Sequence, residues 1–278
     1  MHQMEQSLGE VETRSAARML FVLNPRGAYH RAEIVDSERL PQSGGAVIVS
    51  NHGRLDFDAF ILIRLILRAR GRLVRLMADH MWFGLPWFGR IFSIAGAVDG
   101  TRSNALALLE QGQLVLTYPG GVREIQGSRF GREHIDWEGR RGFARVAIDA
   151  AVPVIPVVGV GVNSGLIFVS SGKLLGKAVF QGVLRLGPAY AEYRDPLTIG
   201  ILPLPLPFGV AINLPLPCKV TYFVGEPVYP PVQAQGRVPQ QAEEDFAQRV
   251  TDSMLRLIRE HGRPAQAANG SVEANGRR

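Results

Sequence analysis

Short apolar runs, with little or no polar interruption, recur along the chain at residues 46–49, 73–78, 114–118, 154–158 and 220–224. Runs this brief read as strands buried on both faces, the mark of a parallel sheet. Residues 32–35 add an edge strand. Between the runs the period lengthens to that of a helix. Residues 59–70 are apolar on most sides, with Arg64 and Arg68 one turn apart and Gly71 as a C-terminal cap. Residues 103–111 form a second helix, capped by Ser103 or Asn104 and stopped by Gly112. Residues 140–152 form a third. Residues 240–261 are amphipathic: Phe246, Val250, Leu257 and Ile258 share a face, and Gly262 ends the helix. Strands alternating with helices predict an α/β fold with a largely parallel central sheet flanked by helices.

Other stretches are less regular. Residues 11–23 read as a short helix stopped by Asn24–Pro25. Its apolar patch beside Arg14 and Arg18 suits either packing on the domain or contact with a membrane surface. Residues 79–94 hold Met81, Trp82, Phe83, Pro86, Trp87 and Phe88, a cluster that fits a core helix, a groove for an acyl chain, or both. Residues 127–139 read as a polar loop and 159–187 as short strands or loops. Residues 197–217 are apolar but carry five prolines, too many for a membrane-spanning helix.

The length of 278 residues, 46% of them hydrophobic, supports one sizeable core. The expected division is residues 1–30 as a tail and short helix able to touch a membrane, 31–262 as the main domain, and 263–278 as a flexible tail. The net charge of +6 suits anionic partners such as a phospholipid surface. No aromatic-plus-basic repeat or zinc spacing points to nucleic acid. One cysteine, Cys218, excludes an internal disulfide, fits a reducing compartment, and reads as a buried inert thiol. The N-terminus lacks the apolar core of a signal peptide.

The candidate chemistry lies at Ser50–Asn51–His52–Gly53–Arg54–Leu55–Asp56–Phe57–Asp58. A buried strand runs straight into the histidine. An imidazole takes a proton near neutral pH, and a carboxylate on its other nitrogen fixes the tautomer. A turn must bring Asp56 or Asp58 round to it, which Gly53 eases. A second polar turn, Tyr118–Pro119–Gly120–Gly121–Val122–Arg123–Glu124, also follows an apolar strand. Two such turns predict one cleft at the carboxyl ends of the strands.

These segments resemble the glycerolipid acyltransferases. The family's first motif, Asn-His and a later Asp, is matched by Asn51, His52 and Asp58 with a five-residue gap, as in the branch resembling diacylglycerol acyltransferase-like proteins; Asp56 is the fallback. Gly96–Ala97–Val98–Asp99–Gly100–Thr101–Arg102 resembles the second block. The Tyr118–Glu124 turn resembles the third, in Pro-Gly-Gly rather than Pro-Glu-Gly form, and residues 152–157 resemble the fourth. The match spans roughly residues 33–230. It implies a glycerol-phosphate acyltransferase-like fold and direct transfer of an acyl group from a thioester, acyl-CoA or acyl carrier protein, to a glycerolipid hydroxyl. In that scheme His52 is the base and Asp58 its orienter. Arg102, Tyr118, Gly120, Gly121, Arg123 and Glu124 are the substrate-binding candidates, with an arginine suited to a phosphate. No metal or resident cofactor is expected. The acid moved from position 120 to Glu124 leaves a neutral glyceride nearly as plausible an acceptor as lysophosphatidate. The expected location is the cytoplasmic face of a membrane, peripheral or monotopic.

Two other readings stay open. Asp56–Phe57–Asp58 is the Asp-x-Asp triplet of metal-dependent glycosyltransferases. A non-catalytic lipid-binding protein would keep the aromatic cluster and the basic charge. A serine lipase is disfavoured, because Gly161–Val162–Asn163–Ser164–Gly165 sets its serine one place late for a nucleophile elbow.

Overall fold

The computed structural model describes residues 13–20, 29–53, 58–80, 83, 88–121, 124, 131–164, 166–169, 212–215, 217–231 and 239–262. In order these form α1 (residues 13–20), β1 (Glu33–Val35), β2 (Ala46–Ser50), α2 (Asp58–Arg70), β3 (Val74–Ala78), α3 (Phe88–Ile94), β4 (Ala97–Asp99), α4 (Arg102–Glu110), β5 (Leu114–Thr117), α5 (Gly142–Asp149), β6 (Val154–Val160), β7 (Leu166–Val169), β8 (Ile212–Pro215), β9 (Thr221–Val224) and α6 (Gln240–His261). Seven strands make one sheet in the order β1-β9-β6-β2-β5-β3-β4. Every pairing is parallel except β6 with β9, so the expected largely parallel sheet is present.

The apolar runs explain the layers. Along a strand, side chains alternate between faces. Ala46, Ile48, Leu114 and Leu116 join a core with Phe60, Ile61, Ile63 and Ile66 of α2 and Phe92 of α3. Val47, Val49 and Val115 join an opposite core with Leu109 of α4, Phe143 and Ala147 of α5, and Phe246 and Val250 of α6. All five residues of β2 are buried, as a strand covered on both faces must be. Arg72 ties the amino edge together, donating to the carbonyls of Pro41, Gly44 and Gly112.

The chain departs from expectation at several boundaries. The cap of α4 is Thr101, whose side chain accepts from the Asn104 amide, not Ser103 or Asn104. Helix α5 is shorter than residues 140–152: the Arg140 amide still bonds to Trp137, and Ala151 turns left-handed ahead of Pro153. Part of the proline-rich stretch is regular, because β8 pairs antiparallel with β7 and sets Pro215 at the strand end, where a missing N–H is tolerated. The short β4 of the second block carried too few residues to show a period. Met81, Trp82, Pro86 and Trp87 lie outside the described residues.

Candidate active site

Strands β2 and β5 are direct neighbours, and the chain leaves them in opposite directions. After β2 it returns along one face as α2; after β5 it returns along the other as α5. Diverging connections open a crevice at the carboxyl ends of the two strands. His52 and the Tyr118–Gly121 turn form its two walls.

The histidine is held from its ring and from its backbone. Its Nδ1 lies 3.0 Å from Asp58 Oδ2, the same oxygen that accepts from the Gly53 amide at 3.1 Å. Asp58 Oδ1 accepts from the Ala59 amide at 2.7 Å, so the carboxylate also serves the positive end of α2. Asp58 is 1% exposed, whereas His52 keeps 24%. With Nδ1–H given to Asp58, the neutral ring turns its lone pair outward at Nε2. Burial works to lower the proton affinity of His52. The charge and hydrogen bond of Asp58, with Glu124 behind them, outweigh it, and the imidazole holds its proton to higher pH than an ordinary histidine. Only glycine fits at 53, since a Cβ there would stand 2.5 Å from Val162 Cβ.

On the backbone side, the His52 amide donates to Glu124 Oε2 at 3.2 Å, and the Asp136 amide approaches Glu124 Oε1 at 3.4 Å. Glu124 is fully buried, and burial raises its carboxyl to about 8 against the pull of the His52 and Asp136 amides. The Tyr118 ring lies across the imidazole, centroids 4.5 Å apart. Burial, then Asp58, Tyr222 and Glu124, keep its phenol protonated.

Three groups given no role in the sequence reading complete the support. Asn51 exchanges two hydrogen bonds with Gly159, Nδ2 to the carbonyl at 3.1 Å and the amide to Oδ1 at 2.8 Å, which clamps the end of β2 to β6. The Tyr222 hydroxyl donates to the Asp58 carbonyl at 3.0 Å. Arg140 Nη1 donates to Gly120 O at 3.0 Å and holds the turn from outside. The available signal was a polar Asn51 closing a wholly apolar run; nothing in the local sequence announced Tyr222.

The other candidates are distributed unequally. Gly120 and Gly121 lie in the turn. Arg102 sits at the start of α4 and pairs with Asp149 on α5 at 2.5 Å. It lines a cavity of about 400 Å³ that Tyr118 also borders, with Thr101, Arg140 and Arg145 exposed around it and Val47, Val115, Phe143 and Val146 buried beneath. Arg145 is engaged there by Glu243 at 3.1 Å. Arg123 and the fallback Asp56 lie outside the described residues. Cys218 is buried, as expected, with Sγ 3.3 Å from His30 Nδ1.

Residues 31–160 match the family model described as Acyltransferase. A human protein called "DGAT1/2-independent enzyme synthesizing storage lipids" is 31% identical over 237 residues, covering 84% of this chain and 63% of that one. The Bos taurus protein of the same name is also 31% identical, over 84% of this chain and 61% of its own length. An uncharacterized protein of Mycobacterium leprae is 32% identical over 73% of this chain and 52% of its own. The chain thus spans less than two thirds of the length of these relatives. Among solved structures, the 1-acyl-sn-glycerophosphate (LPA) acyltransferase PlsC from Thermotoga maritima aligns at a TM-score of 0.45 and 16% identity, covering 83% of this chain and 72% of that chain.

Proposed function

We propose, from the premise that this chain belongs to the acyltransferase family through its residues 31–160, that it moves a fatty acyl group from a thioester to a hydroxyl of a glycerolipid. The observation that carries this reading is the His52 Nδ1–Asp58 Oδ2 contact of 3.0 Å beside a partly open ring. His52 Nε2 takes the proton as the acceptor hydroxyl attacks the thioester carbonyl. The tetrahedral oxyanion collapses, the carbon–sulfur bond breaks, and the same proton passes to the leaving thiolate. No acyl-enzyme is needed, and no resident cofactor takes part. General-base catalysis of this kind is worth roughly 10²–10⁴ in rate. The Gly120–Gly121 turn is proposed as a source of amides for the oxyanion or acceptor, and Arg123 as a contact for the acceptor's polar end.

The cavity beside Tyr118, with Arg102, Arg140 and Arg145 over an apolar floor, is proposed as the seat of a polar or phosphorylated substrate end. Arg102 and Arg145 keep carboxylate partners there, so a ligand would share their charge rather than meet bare cations. The glycosyltransferase reading is weakened because Asp58 is committed to His52, Gly53 and Ala59. The proposed donor is acyl-CoA or acyl carrier protein, and the proposed location is the cytoplasmic surface of a membrane. No helix among the described residues is long and apolar enough to cross one.

The test is transfer from labelled long-chain acyl-CoA to lysophosphatidate, monoacylglycerol and diacylglycerol offered in parallel, repeated with acyl carrier protein as donor. His52→Ala is expected to abolish product while its circular dichroism matches wild type. Turnover near the wild-type rate in this variant would overturn the mechanism.

A further inference from the structure

Among the described residues two carboxyl side chains are buried, Asp58 and Glu124. The first has a role in the proposed transfer step; the second has only the substrate-binding role expected from the sequence. Glu124 is fixed on every side the structure describes. Oε2 accepts from the His52 amide, and Oε1 faces the Asp136 amide. Its own amide reaches back to the Gly120 carbonyl at 3.4 Å. A Cβ at position 120 would meet Glu124 Oε2 and the Asp136 carbonyl at 2.5 and 2.6 Å, so the side chain fills all the room beneath the turn. With no exposed surface, it has no face to offer a substrate. One carboxyl therefore joins three separate pieces of chain: the exit of β2, the turn after β5, and the segment leading to α5.

Asp58 fixes the ring of His52 and the peptide that follows it; Glu124 fixes the amide that precedes its side chain. A general base displaced by a fraction of an ångström loses its line to the hydroxyl. We infer that Glu124 is a positioning residue for the transfer, holding His52 in line with the acceptor without touching either substrate. The inference rests on the acyl-transfer reading and replaces a substrate-binding role for Glu124 with an indirect one.

The electrostatics give this role its own readout. The titratable groups facing Glu124 are His52 after β2, Asp58 on α2 and Tyr118 after β5. Asp136 presents its amide to Glu124, while its carboxylate accepts from the Glu138 amide; Arg140 touches the Gly120 carbonyl. Burial keeps Glu124 protonated up to about 8, and an ionised Glu124 raises His52 in turn, so the two titrate as a coupled pair.

The experiment combines kinetics of Glu124→Gln with the NMR titration of the His52 imidazole in both proteins. A glutamine presents one acceptor where the two amides need two, so kcat is expected to fall about tenfold, with KM for both substrates within twofold. The His52 midpoint moves to lower pH, and a second inflection near pH 8 in the wild-type His52 resonance disappears. A raised KM at unchanged kcat would make Glu124 a substrate contact and overturn the inference. So would wild-type kcat together with an unmoved His52 midpoint. The wild-type titration needs no variant to fold: a single inflection there also overturns it. If no acceptor is acylated by wild type, the transfer reading fails by itself, and the NMR arm still decides whether Glu124 governs His52.

Discussion

At the residue scale, the dyad separates two contributions of Asp58 that have opposite effects on a pH profile. In the proposed role His52 must be neutral, so activity is expected to rise as pH climbs through the titration of His52, which lies above the ordinary histidine value. Asp58→Asn removes the charge that raises it, so the acid limb of kcat moves to lower pH. The same change leaves one side-chain oxygen for three donors, His52 Nδ1–H and the Gly53 and Ala59 amides, so the tautomer is no longer fixed and the plateau falls, by about 10⁴-fold on the precedent of an oriented histidine in a catalytic triad. A lower plateau with an unmoved limb would mean that Asp58 only packs. That an aspartate would reach His52 was legible, because Asp56 and Asp58 both lie within one turn of chain around a glycine; the preference for Asp58 came from the resemblance to the family's motif. The role of Glu124 was not legible. Its partner is 72 positions away, and local spacing says nothing of how the turn after β5 folds beneath the exit of β2.

At the element scale, the end of β2 depends on its neighbours for its place. Asn51 follows the last strand residue and satisfies both polar groups of Gly159, next to the end of β6. Asn51→Ala would strand a buried amide and a buried carbonyl, a cost of about 3 kcal/mol. Thermal unfolding is expected to show that loss, with kcat reduced because His52 is the next residue. Unchanged stability would mean that water replaces the clamp. Helix α6 was readable to its end residues, since its apolar face and Gly262 stop mark both its course and its limit. The shortness of α5 was not, because Arg140, Arg141 and Val152 carry no local sign that Ala151 turns left-handed. The parallel sheet was legible in its unbroken apolar runs, while the strand order was not, since runs of like composition do not name their partners.

At the scale of the whole molecule, the net charge of +6 is expected to add a long-range attraction to anionic lipid. Co-sedimentation with phosphatidylserine-containing vesicles is expected, weakening as salt shortens the screening length, with little binding to phosphatidylcholine alone. Equal binding to both would assign the attraction to apolar insertion instead. One further property of the whole follows from the sheet's far edge. Among the described residues the edge strand β1 pairs only with β9, Glu33 against Thr221 and Val35 against Phe223, and the neighbouring Tyr222 reaches the carbonyl of Asp58. β1 must therefore wait for β9, which is made much later. Such distant pairing is slow to form, because the intervening chain must close a long loop before any contact repays it. The central strands can assemble earlier, yet the brace behind the dyad arrives only with β9. A nascent chain halted before residue 221 would carry His52 and Asp58 without that brace, so the pair is braced from behind only once β9 has been made.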